Sequence, residues 1–130
     1  MTVTAAQLLQ AAHAVVPKIS VEDAMAKLKD GALLLDVRDA PELEANGRAE
    51  GSHHVPRGML EFRADPATPF HDPEFRFDRP VILHCASGGR AALAGKLLKD
   101  MGYRDVFNLG GFSDWKDAGG PSAEPVDPGM

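Results

Sequence analysis

The fold is decided by one stretch of sequence, VILHCASGGRAAL at residues 81–93. Its first four residues predict a buried strand, its two glycines allow a tight turn, and the apolar spacing after Arg90 predicts a helix. Cys85 therefore lies between the end of a strand and the start of a helix. Unpaired backbone N–H groups and the helix dipole favour an anion at that position. Since the thiolate is the reactive form of cysteine, the pattern indicates a nucleophile at Cys85.

Strand and helix patterns alternate along the rest of the chain. Strands are predicted at residues 33–37, 81–84 and 106–109. Longer helices are predicted at residues 4–16, between the N-terminal cap Ser20 and the C-terminal stop Gly31, and at residues 90–101. Short helices are predicted after Pro41, at residues 59–62, and in the segment that runs through Trp115. This alternation predicts an α/β fold with a central parallel sheet and helices on both faces. Ligands of such sheets bind beyond the carboxyl ends of the strands, where Cys85 is expected.

The length of 130 residues fits a single domain with a hydrophobic core. Hydrophobic residues make up 44% and charged residues 25% of the chain, which is typical of a globular protein. We expect an extra N-terminal helix in residues 1–17, the main domain in residues 18–118, and a flexible tail rich in Pro and Gly in residues 119–130.

Charge and hydropathy exclude several classes of partner. The net charge of −5 and the lack of a basic run argue against binding to nucleic acid. The opening residues Met1–Thr4 have no positively charged region typical of a signal peptide, and no apolar stretch reaches membrane-spanning length. We therefore expect a cytoplasmic protein without a membrane partner; the sequence leaves its oligomeric state open.

The chain has one cysteine, so it can form neither an internal disulfide nor an internal resolving pair. Any sulfur chemistry at Cys85 must be completed by another molecule. No metal site is expected, because none of the histidines has metal-ligand spacing with Cys85; they are His13, His53, His54, His71 and His84.

The loop from Cys85 to Arg90 is compatible with a sulfurtransferase or with a cysteine phosphatase or arsenate reductase. Cysteine phosphatases place five residues between the cysteine and the arginine, whereas this loop has four, Ala86, Ser87, Gly88 and Gly89. A shorter loop makes a smaller nest of N–H groups, which suits one sulfur atom better than a phosphate. A third alternative is a binding or sensing module in which Cys85 does not turn over.

Ordered motifs over residues 18–118 resemble the single-domain members of the rhodanese-like family. They are Leu35-Asp36-Val37-Arg38, Gly51-Ser52-His53-His54-Val55-Pro56, the loop Cys85–Arg90, and Asn108-Leu109-Gly110-Gly111-Phe112 with Trp115 beyond it. The resemblance implies an α/β fold with a central parallel sheet and a cysteine that forms a persulfide. The sequence departs from the family pattern at Ala49, where an isoleucine is usual, and at Ala86, where thiosulfate-specific members often have a basic residue.

The resemblance implies a sulfurtransferase that needs no metal or organic cofactor. Cys85 is expected to take a sulfane sulfur from a small anionic donor, either thiosulfate or a persulfide. Residues Ala86, Ser87, Gly88, Gly89 and Arg90 are expected to bind the donor and the persulfide, with Arg90 on the anionic group. A small thiol, cyanide or the cysteine of a partner protein would then accept the sulfur.

Charged residues near the first strand are assigned structural roles. Arg38 is expected to pair with Glu42 or Glu44, and Asp36 to brace a nearby loop. Strand alternation points the His84 side chain away from Cys85, so His84 is not expected to act as a general base.

Overall fold

The computed structural model describes residues 2–123, in which helices and strands alternate. The helices are α1 (Ala5–Val15), α2 (Val21–Lys29), α3 (Ala40–Asn46), α4 (Leu60–Ala64, preceded by a 3-10 turn at Arg57–Met59), α5 (Gly89–Met101) and α6 (Phe112–Asp117). The strands are β1 (Leu33–Asp36), β2 (Arg48–Ala49), β3 (His53–His54), β4 (Val81–Cys85), β5 (Val106–Gly111) and β6 (Ser122–Ala123). None of the helices in this part of the chain is long and apolar enough to cross a membrane.

Within the described residues, four parallel strands form the main sheet in the order β3-β1-β4-β5. The chain proceeds from β1 to β3 on one side of the sheet and from β4 to β5 on the other. The strand order therefore reverses between β1 and β4, and ligands bind in the crevice that such a reversal opens at the carboxyl ends. Cys85 is the last residue of β4 and lies at this crevice.

Two hydrophobic cores lie on opposite faces of the sheet, which confirms the predicted α/β fold with helices on both faces. One core joins Leu35, Leu83 and Cys85 to α5 through Ala91, Ala94 and Leu98. The other joins Leu34 and Ile82 to α2 and α6 through Ala24, Phe112 and Trp115. Because successive strand residues point to opposite faces, the Cys85 side chain points toward the α5 side.

Local signals fix the ends of the helices. At the start of α1, the Thr4 hydroxyl accepts a hydrogen bond from the Gln7 amide at 3.1 Å, and the Gln7 side chain accepts one from the Thr4 amide at 2.8 Å. This capping box is the one predicted from the sequence. At the end of α5, Gly102 has a φ of 116°, a conformation that glycine adopts without steric cost.

Helix α1 packs against α5 of the same chain. Ala12 and Val16 are buried at this contact. The close approach depends on Gly95 of α5, because a Cβ atom there would lie 2.9 Å from Cγ1 of Val16. The N-terminal segment thus contributes to the core on the α5 side.

The C-terminal segment is more ordered than expected up to Ala123. The Trp115 indole and the Glu50 amide both donate hydrogen bonds to the carbonyl of Pro121, at 2.7 and 2.8 Å. Residues Ser122–Ala123 then pair antiparallel with β2. A flexible tail beginning at residue 119 is therefore wrong for this stretch, since a buried indole N–H needs an acceptor. The rest of the predicted tail lies outside the described residues.

Replacing Gly95 with Ala is expected to lower the free energy of unfolding by about 1 kcal/mol, because overpacking against Val16 outweighs the gain in helix propensity. In a Val16→Ala background, the same replacement should be close to neutral, because the clash with Val16 is removed and the 3.3 Å approach to Cγ1 of Val106 offsets the gain in helix propensity. Urea unfolding followed by circular dichroism measures both values. An equal loss of stability in both backgrounds would contradict the packing of Gly95 against Val16.

Candidate functional site

Cys85 lies at the base of a loop that turns from β4 into α5. Only 1% of its surface is exposed, and the Gly88 amide donates a hydrogen bond to its Sγ atom at 2.9 Å. Helix α5 begins at Gly89, so the first amides of the helix have no intrahelical acceptor. These amides and the helix dipole favour a negative charge at the sulfur.

Of the predicted loop residues, Gly88 contacts this sulfur directly through its amide. Ala86 and Ser87 are exposed, Gly88 is buried, and Gly89 and Arg90 are half-buried. The loop therefore exposes Ala86 and Ser87 to solvent and keeps Gly88 on the buried side, next to the sulfur.

Asn108 of β5 holds the loop and was missed as a site residue by the sequence analysis. Its side-chain amide donates a hydrogen bond to the Gly88 carbonyl at 3.2 Å, and its carbonyl oxygen accepts one from the Gly110 amide at 2.8 Å. Asn108 is buried, and Gly88 has a φ of 105°, which favours glycine. The available signal was a polar residue inside an apolar strand pattern, where a buried amide needs partners.

Gly111 lets the loop lie directly on the end of β5. It is in register with Cys85, and a Cβ atom at this position would lie 2.2 Å from the carbonyl oxygen of Ala86. The adjacent glycines at the end of this strand were a signal for such a close backbone approach.

Arg90 forms a bidentate ion pair with Glu42 of α3. Its Nη1 and Nη2 atoms donate to the two carboxylate oxygens at 2.7 and 2.8 Å. Glu42 also accepts a hydrogen bond from the Asp39 amide at 2.8 Å. The hydrogen bonds from Arg90 are the main reason that the pKa of Glu42 falls to about 2. The guanidinium expected to meet an anionic donor thus already holds a carboxylate.

The prediction that Arg38 pairs with Glu42 or Glu44 is wrong. Arg38 turns back toward the end of β1, and its Nη2 atom lies 2.8 Å from Oδ2 of Asp36. Both side chains are buried. Burial would raise the pKa of Asp36, but the hydrogen bonds from Arg38 outweigh this and lower that pKa below its usual value.

His84 points away from the Cys85 thiol, as predicted. Its ring stacks on Phe112 at a centroid distance of 6.2 Å, on the opposite face of the sheet from the core that contains Cys85. Burial lowers the pKa of His84, against the opposing effect of Asp36. His84 is therefore a neutral structural residue at pH 7.

Comparisons with known proteins agree on one family. The rhodanese-like domain model matches residues 20–118. The thiosulfate sulfurtransferase GlpE of Actinobacillus succinogenes is 36% identical over 94 residues, which cover 71% of this chain and 76% of GlpE. The uncharacterized protein YqhL of Bacillus subtilis is 34% identical over 85 residues, and the match covers 65% of this chain and 60% of YqhL.

Solved structures give the same fold. A Rhodopseudomonas palustris protein of unknown function, described as a possible tyrosine phosphatase, has a TM-score of 0.86 at 38% identity, over 95% of this chain and 96% of its own. The polysulfide-sulfur transferase homodimer of Wolinella succinogenes has a TM-score of 0.73 at 32% identity, and the match covers 94% of this chain and 88% of that one. Because the family model covers most of the chain and the matched enzymes include named sulfurtransferases, the chain belongs to the rhodanese-like family and groups with its sulfurtransferases.

Proposed function

We propose that this chain moves a sulfane sulfur from a small donor, thiosulfate or a persulfide, to a thiophilic acceptor through a persulfide on Cys85. The observation that carries this proposal is the 2.9 Å hydrogen bond from the Gly88 amide to Sγ of Cys85 at the start of α5. It marks a backbone cradle that accepts negative charge on sulfur. In this proposal the hydroxyl of Ser87, an exposed residue of the loop, binds the outer sulfur.

The loading step is a nucleophilic displacement at sulfur. The Cys85 thiolate attacks the terminal sulfur of thiosulfate, the sulfur–sulfur bond breaks, and sulfite leaves with the electron pair. With a persulfide R–S–SH, the outer sulfur and its proton move to Cys85, and the thiolate R–S⁻ leaves. No net oxidation or reduction occurs, because an S–S bond forms as another breaks.

The unloading step requires a second molecule, because Cys85 is the only cysteine in the chain. Cyanide, a small thiol or a cysteine of a partner protein attacks the outer sulfur, and the Cys85 thiolate leaves. We place this cycle in the cytoplasm, where cellular reductants keep thiols free.

The phosphatase description of the Rhodopseudomonas relative applies less well to this loop. Four residues separate Cys85 from Arg90, which gives a small nest, and both terminal nitrogens of Arg90 are bound to Glu42. A phosphate would need a wider nest and a free guanidinium. Both features support sulfur as the transferred group. A binding module without turnover is distinguished by the persulfide assay below.

Incubation with thiosulfate or glutathione persulfide is expected to add the mass of one sulfur atom to Cys85, because the loop stabilises the persulfide. Cyanide should then remove that mass and yield thiocyanate. Intact-protein mass spectrometry measures each step, with Cys85→Ser as the control that gains no sulfur. If the wild-type protein gains sulfur from neither thiosulfate nor glutathione persulfide, the sulfurtransferase proposal is refuted.

A Gly111→Ala substitution is expected to lower the rate of persulfide formation on the order of 100-fold, because the new methyl group displaces the Ala86 carbonyl and the loop. Gly58→Ala is the matched control, since no atom lies within 4 Å of its Cβ position. Stopped reactions analysed by mass spectrometry give both rates. Equal rates for the two variants would show that the loop does not depend on Gly111.

A further inference from the structure

The Glu42–Arg90 pair spans the crevice in which the donor must bind. Glu42 belongs to α3, which follows β1, and Arg90 belongs to α5, which follows β4. The two residues are 48 positions apart in sequence, and their side chains meet above the point where the strand order reverses. With 30% and 37% of these side chains exposed, the pair lies at the mouth of the site, in contact with solvent.

This pair occupies the group that an oxyanion donor would use. A sulfonate, like a carboxylate, presents two oxygens that match the two terminal nitrogens of arginine. In this chain those nitrogens hold Glu42 at 2.7 and 2.8 Å. The sulfonate end of thiosulfate must therefore displace a carboxylate that also accepts a hydrogen bond from Asp39.

Neighbouring residues do not replace the occupied arginine. Ala86, next to the nucleophile, carries no charge. Of the cations near this end of the sheet, Arg38 is paired with Asp36 and Arg57 with Glu61. Lys18 lies beside Gly110 of β5 rather than beside the loop that holds Cys85.

A persulfide makes different demands on the site. Its sulfane sulfur is bonded to another sulfur, with no oxyanion group beside it, so it needs no guanidinium. It needs amide donors for the sulfur that becomes charged, and the loop supplies these at Gly88 and at the first turn of α5.

We propose that Glu42 is a specificity-determining residue: by occupying Arg90, it disfavours thiosulfate and similar oxyanion donors and leaves persulfides as the preferred donor class. This inference rests on the proposed sulfur transfer at Cys85. In the wild-type protein Arg90 then has a structural role at the mouth of the site, and the amides of the loop bind the donor.

The ion pair is stable to ordinary changes of pH. Because Arg90 lowers the pKa of Glu42 to about 2, the carboxylate stays ionised from about pH 5 to pH 9. Protonation of Glu42 therefore does not free Arg90 in this range, and the preference between donors is expected not to change through it.

The test compares Glu42→Gln with the wild-type protein and with Glu44→Gln, an exposed acid on the same helix. Rates of Cys85 persulfide formation are measured separately with thiosulfate and with glutathione persulfide, by rapid quenching and mass spectrometry. In Glu42→Gln, the ratio of the thiosulfate rate constant to the persulfide rate constant should rise on the order of 10-fold, because the sulfonate gains a charge-assisted partner. Glu44→Gln should leave the ratio at the wild-type value.

A ratio that stays unchanged in Glu42→Gln overturns the proposal, even if both rates fall together because the loop has loosened. Glu42→Ala provides a second test if the glutamine variant does not fold, since it removes the carboxylate that holds both nitrogens of Arg90; the same rise in the ratio is expected. If the wild-type protein forms no persulfide with either donor, the proposed sulfur transfer itself is refuted. This outcome differs from an unchanged ratio, which refutes only the specificity role of Glu42.

Discussion

The buried ion pair between Asp36 and Arg38 holds the carboxyl end of the sheet together. Arg38 binds Asp36 at the end of β1, donates to the Gly47 carbonyl at 3.0 Å after α3, and lies 4.5 Å from the ring centre of Phe112 in α6. Its own carbonyl is bound by His54 at 2.6 Å. Removing one member of such a pair leaves an uncompensated buried charge, at a cost of about 3–5 kcal/mol. The position of α3, and with it the position of Glu42, follows from this pair.

Backbone groups and side chains have different roles in the candidate site. Cys85, the proposed nucleophile, is positioned by backbone contacts: the Gly88 amide on the sulfur, and the close approach of Ala86 to Gly111. The mouth is shaped by a side-chain pair, Glu42 with Arg90. If the pair sets the donor preference as proposed, substitutions in it change which donor enters and leave the backbone contacts around Cys85 the same.

Local chemistry made most of the fold predictable from sequence. The caps at Thr4 and Ser20 begin α1 and α2 where expected, and the glycine at residue 102 ends α5. These features depend on residues within a few positions of one another. The partner of Arg38 was predicted wrongly even though it is local: the sequence analysis paired Arg38 with Glu42 or Glu44 and expected Asp36 to brace a nearby loop, whereas the two side chains bind each other.

The site was predictable where its residues are contiguous and missed where they are not. Cys85 and its loop form one continuous motif, but the partner of Arg90 lies 48 residues earlier. Only the placement of α3 beside the start of α5 brings Glu42 to the guanidinium. The role of Asn108 likewise requires the pairing of β4 with β5.

Family membership and donor choice consequently depend on different parts of the molecule. The ordered motifs specify a parallel sheet that ends in a buried thiol, of which 1% is exposed, so a donor must offer a protruding terminal sulfur. Thiosulfate and persulfides both meet that requirement, and the family resemblance does not distinguish them. Under the proposed role of Glu42, the distinction comes from the charge at the mouth, where a carboxylate on α3 neutralises the arginine on α5. In this chain the fold thus accounts for membership of a sulfurtransferase family, and the proposed role of the Glu42–Arg90 pair accounts for which donor supplies the sulfur.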